Sequence, residues 1–311
     1  MNLIQVANEF QTEEQCLEWL ANSRWPDGVR CPICGNDKVS KITRKSKGDN
    51  KRPFVYACLE PSCKHQFSPT VGTIFHGSHI PLRTWFLAIT IVMDAKKGMS
   101  AKQIQEHLNI GSYRTAWYMV HRIRKAMAEE FPTKMQGVVE MDETWIGGKT
   151  KRRGVARKIR AEQFDMVIGM RERGGRVRFF HTPDARKATV KAIVDRHLAV
   201  GAKIMTDQAV VYDFALDKTF KKHHRTVNHK VEYVAADGTH TNTIESAFSL
   251  LKRGLIGSFH RVSIKHLHRY LSEFEYRFNV RSMNAKFEGI LSRMMVTPTM
   301  PYKVLIAPVS E

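Results

Sequence analysis

The sequence lacks an apolar run long enough to cross a membrane: the longest nearly unbroken one, Trp85 to Met93, falls far short of the roughly 20 residues that a span needs. It also lacks a secretory start. Residues 1 to 20 are mixed and acidic, with Glu9, Glu13, Glu14 and Glu18 where a signal peptide has a basic end and an apolar centre. No membrane partner is expected, and a cytoplasmic location is. Cysteine is scarce, 5 in 311 residues, too few for a disulfide scaffold and suited to thiols or metal ligands in a reducing compartment. Acid is short against base: 30 Asp and Glu stand against 50 Lys and Arg, a formal net charge of +20. Nucleic acid is the expected partner, because phosphate neutralisation by Lys and Arg supplies most non-specific affinity. The charge does not sit in low-complexity runs, as in ribosomal or chromatin tails. It is interspersed with apolar periodicity and decorates folded elements, and no internal repeat is visible.

What is present suggests about two domains on a prior of roughly 150 residues each. Residues 1 to 25 read as one short amphipathic helix, with Thr12 as N-cap candidate and Cys16, Leu17, Trp19 and Leu20 clustered. Trp25-Pro26-Asp27-Gly28 breaks it. Cys31-Pro32-Ile33-Cys34-Gly35 and Cys58-Leu59-Glu60-Pro61-Ser62-Cys63 follow, with a strand candidate at Phe54, Val55 and Tyr56 between them. Two close-set thiolate pairs on two tight turns can close a tetrahedron around Zn²⁺, and Gly35 permits such a turn. This is a zinc-ribbon pattern. Its structural Zn²⁺ would be held by Cys31, Cys34, Cys58 and Cys63, with His65 as an alternative ligand and Cys16 left over for packing.

Arg83 to Lys96 is read as a helix with Trp85, Phe86, Ile89 and Val92 or Met93 on one side, stopped by Gly98. Ser100 and Gln103 fit a capping box opening a helix through Leu108. Asn109 to Ser112 is a turn, and Tyr113 to Glu129 a longer helix. That layout is a helix-turn-helix whose second helix is expected to display Arg114, His121, Arg122, Arg124 and Lys125 to a DNA groove or backbone. An ordinary αα-hairpin in a basic protein has the same pattern.

After Pro132 strands and helices alternate. Val138 to Asp142 is a strand candidate, and Gly147 to Arg160 a basic loop without acid. Met166 to Met170 and Arg176 to Phe180 flank the hairpin turn Arg173-Gly174-Gly175. Ala188 to Leu198 reads as a helix, Ala202 to Met205 as a buried strand ending in Thr206-Asp207, Val210 to Leu216 as a short helix and Arg225 to Lys230 as a fifth strand. The basic stretch around His223, His224 and His229 reads as a solvated or phosphate-facing surface. A last helical region starts near Thr241, and the tail from Pro298 is expected to be loose. The order of elements is that of a ribonuclease-H-like domain.

Asp142 then ends the first strand, Asp207 the fourth, and Asn242 and Glu245 open the late helix one turn apart, with Lys252 two turns on. Asn followed by Glu three residues later is equally a helix-capping signature, so these residues taken alone also fit caps. Cys31-Pro32-Ile33-Cys34-Gly35, Ala116-Trp117-Tyr118-Met119, Glu140-Met141-Asp142-Glu143-Thr144, Gly147-Gly148-Lys149, Thr206-Asp207, His240 to Glu245 and Leu250-Leu251-Lys252-Arg253-Gly254 together resemble the ISXO-like insertion-sequence transposases of bacteria, family fifteen-ninety-five. The resemblance runs from about Cys31 to about Asn279.

It implies a multidomain α+β chain: an N-terminal helix (1–28), a zinc ribbon (29–70), a helix-turn-helix segment (80–131), a ribonuclease-H-like α/β catalytic domain (136–285) and a C-terminal tail (286–311). It also implies a D-D-E-type transposase whose third ligand is Asn242 or Glu245. Two Mg²⁺ or Mn²⁺ ions would be held by Asp142, Asp207 and Glu245 or Asn242, for in-line phosphodiester displacement. Lys252 and Arg253 would grip DNA phosphates, and Glu140 and Glu143 would be supporting or surface charges. The implied partners are double-stranded DNA at the terminal inverted repeats and target, and further copies of the chain on the paired ends. A DNA-binding transcription regulator with an inactive ribonuclease-H-like domain, and a nuclease without strand transfer, are the competing readings.

Overall fold

The computed structural model describes residues 1–43, 53–129, 132–146, 165–182, 184, 186–207, 212, 216–228 and 233–307. The basic loop Gly147 to Arg160, the Gly147-Gly148-Lys149 motif, His229, Lys230 and most of the helix expected over Val210 to Leu216 lie outside the described residues. The chain forms two compact units, one of Met1–Met127 with Met283–Glu311 and one of Ala128–Ser282. No helix among the described residues is long and apolar enough to cross a membrane.

The first unit begins with two helices where one is expected, α1 (Leu3–Glu9) and α2 (Glu13–Arg24), each opened by a capping box, Asn2 with Gln5 and Thr12 with Gln15. The second box supplies a fresh start at Thr12 and so divides the stretch. A three-stranded antiparallel sheet follows, in the order β1 (Val39–Thr43), β2 (Phe54–Cys58), β3 (Gln66–Phe67). Helix α3 (Leu82–Asp94) buries Trp85, Phe86, Ala88, Ile89 and Val92. Helices α4 (Ala101–His107) and α5 (Tyr113–Met127) flank a turn in which Asn109 takes a left-handed φ of 47°. Among the described residues the unit closes with α10 (Lys286–Val296) and α11 (Tyr302–Ile306).

Two expectations about this unit are corrected. Helix α5 does not display its basic residues as a row. His121, Arg122 and Arg124 are buried; the Arg122 guanidinium donates to the Ile74 and His76 carbonyls and lies over the rings of Trp85 and Tyr118. Lys125 donates to the carbonyls of Pro298 (2.9 Å) and Thr299 (3.2 Å). Arg114 alone of the five is exposed. Arg122 and Lys125 therefore serve carbonyls of the neighbouring chain. The second correction follows from the first: residues 299–307 are not loose but docked, with Met300 and Leu305 buried and the Tyr118 hydroxyl donating to the Met300 carbonyl.

The second unit is built on a five-stranded sheet in the order β6 (Val177–Thr182), β5 (Asp165–Glu172), β4 (Val138–Ile146), β7 (Lys203–Asp207), β8 (His224–Val227). Pairs β6–β5 and β5–β4 are antiparallel, and β4–β7 and β7–β8 parallel. Helix α6 (Lys187–His197) covers one face through Val190 and Val194, packed with Val139, Met141, Ile168 and Ile204. A short helix α7 (Lys218–Lys221) precedes β8. Helices α8 (Asn242–Gly254) and α9 (Ile264–Asn279), joined through a π-helical turn at Leu255–Phe259, cover the opposite face through Ile244, Phe248, Leu251, Leu267 and Phe274. Strand β4 runs four residues beyond Asp142, because pairing with β5 continues to Ile146 opposite Asp165, so Asp142 is mid-strand.

Candidate functional site

Among the described residues, each unit gathers one set of side chains that could hold a metal ion. In the first, Cys31, Cys34, Cys58 and Cys63 bring their Sγ atoms within 4.8 Å of one another. Two knuckle turns make this possible. The Gly35 N–H donates to the Cys31 carbonyl at 2.9 Å with φ 74° at Gly35, and the Lys64 N–H donates to the Glu60 carbonyl at 3.0 Å with φ 46° at Lys64. Cys31–Cys63 and Cys34–Cys58 separations are 3.7 and 3.5 Å, against about 3.8 Å for the edge of a tetrahedron with Zn–S bonds of ~2.3 Å. The four thiols therefore fit zinc. Burial works against a Cys31 thiolate, but the amides of Cys34 and Ile33 and the thiols of Cys34 and Cys63 bring it down to about 7. His65 stands apart, stacked on Phe67, and Cys16 is buried with α2, where burial pushes its thiol up to about 12.

In the second unit the sheet register does the assembling. Parallel pairing sets Glu140 of β4 opposite Met205 of β7, and two residues further along the same register Asp142 comes level with Asp207. Side chains level with each other on neighbouring strands share a face. This is the face that α8 covers, and Gly169 of β5, opposite Asp142, lets the helix come in: a Cβ there would meet Phe248 at 2.6 Å and Ile244 at 2.8 Å. Carboxylate oxygens of Asp142, Glu143 and Asp207 lie within 4.8 Å of one another. The Glu143 N–H donates to Asp142 Oδ1 at 2.8 Å, and the buried Tyr212 hydroxyl donates to the Glu143 carboxylate.

Burial pushes the Asp142 carboxyl up to about 7; the Glu143 amide opposes this, and the charges of Glu143, Asp207 and Glu245 add to it. Burial likewise raises Glu143, with the Tyr212 hydrogen bond working the other way and Asp207 adding to the rise. Converging carboxylates that disfavour one another's charge are compatible with a hard divalent cation, which takes oxygen ligands at about 2.1 to 2.6 Å.

Glu245 stands outside the set of three, exposed on the first turn of α8, and its Oε1 accepts from the Thr241 hydroxyl at 2.9 Å. Asn242 is exposed at the first helical position; Lys252 and Arg253 are exposed in the last turn. The Asn242 to Glu245 capping box does not form. Thr241 holds the cap position without a side-chain cap bond, and the free N–H groups are taken by Glu140 from β4.

The sequence marks Glu140 and Glu143 only as supporting or surface charges and gives no sign of Tyr212. Strand alternation sends Glu143 to the face opposite Asp142, so only its extra side-chain length and the Tyr212 hydroxyl reveal its place. The spacing of Glu140 two before Asp142 was the one available sign of a shared face.

The chain thus carries a four-thiol ribbon in one unit and a three-carboxylate cluster on a mixed sheet in the other, and comparison with known proteins finds both in one class, the transposases. The model of the ISXO2-like transposase domain matches residues 134–279, and that of the transposase zinc-ribbon domain matches residues 11–66. A Halobacterium salinarum protein described as an uncharacterized protein in transposable element ISH50 is 30% identical over 288 residues, covering 87% of this chain and 92% of that protein. The chain belongs to the ISXO2-like insertion-sequence transposases.

Proposed function

We propose that this protein binds the ends of its insertion sequence and catalyses metal-dependent cleavage and strand transfer of double-stranded DNA. The observation that carries the reading is the convergence of the Asp142, Glu143 and Asp207 carboxylates within 4.8 Å of one another. The strand order, three antiparallel strands followed by two parallel ones, supports a ribonuclease-H-like catalytic domain. Asp142 and Asp207, with Glu143 and with Glu245 or Asn242 from α8, would hold Mg²⁺ or Mn²⁺. Bound there, a cation pair supplies activation of the attacking oxygen and stabilisation of the leaving oxygen. Tyr212 fixes the Glu143 carboxylate, and Lys252 and Arg253, exposed beyond Glu245 on α8, receive DNA phosphates.

The zinc ribbon and the α4–α5 pair, read as a helix-turn-helix with Arg114 at its exposed start, recognise the element ends. Two ends held together call for more than one copy of the chain, and a cytoplasmic location goes with a DNA substrate. The test is incubation with Mg²⁺ or Mn²⁺ and a plasmid carrying the DNA that flanks the gene. Wild type is expected to give cleavage at defined ends and joined products, and Asp142→Asn to lose at least about 10³-fold in rate, the scale set by loss of a group acting in the transition state. Specific binding with no cleavage by either protein would replace this reading with that of a DNA-binding regulator.

A further inference from the structure

We infer that Glu140 is a positioning residue that fixes the distance between the two sides of the metal site, and this rests on the catalytic reading above. Glu140 lies on β4 two residues before Asp142, so the two side chains emerge on the same face. Its carboxylate is fully buried and surrounded by donors. Oε2 accepts from the Thr243 N–H at 2.9 Å, the Thr243 hydroxyl at 2.7 Å and the Ile244 N–H at 3.1 Å. Oε1 accepts from Arg173 Nε at 2.8 Å and lies 3.1 Å from His240 Nδ1.

The two amides belong to the second and third helical residues of α8, the donors that an N-cap side chain ordinarily satisfies. Thr241, the cap residue, does not serve them. The cap therefore comes from the strand that carries Asp142, and a negative charge there also meets the positive end of the helix dipole. Arg173 extends the grip, donating to the Gly238 carbonyl at 3.2 Å and the His240 carbonyl at 3.1 Å, so the approach to α8 is tied to the same carboxylate. Arg171, opposite Glu140 on β5, donates to the Thr243 carbonyl at 2.6 Å and so holds that residue from its other side. Glu245 is the residue after Ile244. Whatever fixes the Ile244 amide to β4 fixes the height of Glu245 over Asp142.

The test measures Mn²⁺ binding by the full chain through loss of the free-ion electron paramagnetic resonance signal, together with amide hydrogen exchange at 243 to 246, for wild type, Asp142→Asn, Glu140→Gln and Thr243→Val. Glu140→Gln keeps the shape and one acceptor but loses the charge. It is expected to weaken Mn²⁺ binding about 10-fold or more, the usual effect of removing a partner that orients ligands, and to speed exchange at Thr243 and Ile244. Thr243→Val, which removes only the hydroxyl bond, is expected to weaken it about two- to threefold, the low end of what one hydrogen bond contributes, and stands in if Glu140→Gln does not fold. Zinc content stays at the wild-type level in both. Faster exchange with Mn²⁺ affinity unchanged would make Glu140 a helix anchor only and overturn the inference. If wild type binds no Mn²⁺, or Asp142→Asn binds it as well as wild type does, the metal-site reading itself fails and this inference with it.

Discussion

The four thiols and the three carboxylates gather their donor atoms within the same 4.8 Å, but they are assembled by different means. Each thiol pair sits on one short turn whose backbone hydrogen bonds are closed within a few residues, as from Gly35 to Cys31. The carboxylates come from β4 and β7, and their meeting depends on a parallel register, while α8 comes down beside them over a glycine on β5. A local site can be broken only at its ligands or its metal. A site assembled from distant strands can also be disturbed from residues that touch no ligand.

The comparison is sharpest at the ribbon. Cys58→Ser is expected to lower bound zinc from about one per chain to near none and to remove on the order of 10 kcal/mol of local folding free energy. Metal analysis and limited proteolysis of residues 29 to 67 check this; zinc retained at full stoichiometry would break it. Arg122→Ala leaves two carbonyls and the rings of Trp85 and Tyr118 without their cation and should cost about 3 kcal/mol in urea unfolding. Arg114→Ala, at the exposed start of the same helix, should leave stability within about 0.5 kcal/mol. Equal losses would return α5 to the expected basic display.

Glu275 on α9 gives a pH-dependent contrast within the second unit. Its carboxyl accepts from the Phe179 N–H, and burial pushes it up to about 8, with the Phe179 hydrogen bond and the Arg178 charge opposing the rise. Between its ordinary value and about 8 the unfolded chain releases a proton that the folded chain keeps, so wild-type stability falls as pH rises through that window. Glu275→Gln should flatten the fall. Because the carboxyl opens on a cavity of about 180 Å³, where water relieves part of the burial, the gain at pH 8 relative to pH 5 is set at about 2 kcal/mol. Thermal melts across that range check it, and parallel pH profiles for the two proteins would refute it. The smallest expected effect is Gly169→Ala, about 1.5 kcal/mol from overpacking against Phe248 and Ile244. Its value lies in the second readout: Mn²⁺ affinity should fall with it although no ligand has changed, and an unaltered affinity would show that the carboxylate site tolerates movement of α8.

Legibility in the sequence followed the range of the interactions. The thiol spacing, the N-cap at Thr12, the capping box at Ser100 and the Arg173-Gly174-Gly175 turn are settled over three to six residues, and each is found where the pattern predicts it. The helix boundary at Thr241 is a different case. Asn242 and Glu245 have the spacing of a capping box, yet the cap is delivered by Glu140 from more than a hundred positions away. Arg122 and Lys125 of α5 mislead for a related reason: their charge predicts exposure, and only the packing of the chain around Ile74 and Pro298 shows that carbonyls had claimed them. Glu143 was read as a supporting charge, because strand periodicity cannot register a side chain that reaches its neighbours by length.

The sequence by itself determined the thiol set of the ribbon, the order of the five strands of the second unit and the family, since these rest on spacing, periodicity and motif order along the chain. The tertiary structure alone decided which carboxylates meet, that α8 is anchored to β4 by Glu140, and that Arg122 and Lys125 of α5 hold carbonyls of the surrounding chain. Those outcomes depend on sheet register and on which buried donors lack a partner, and neither is a property of any short stretch of chain.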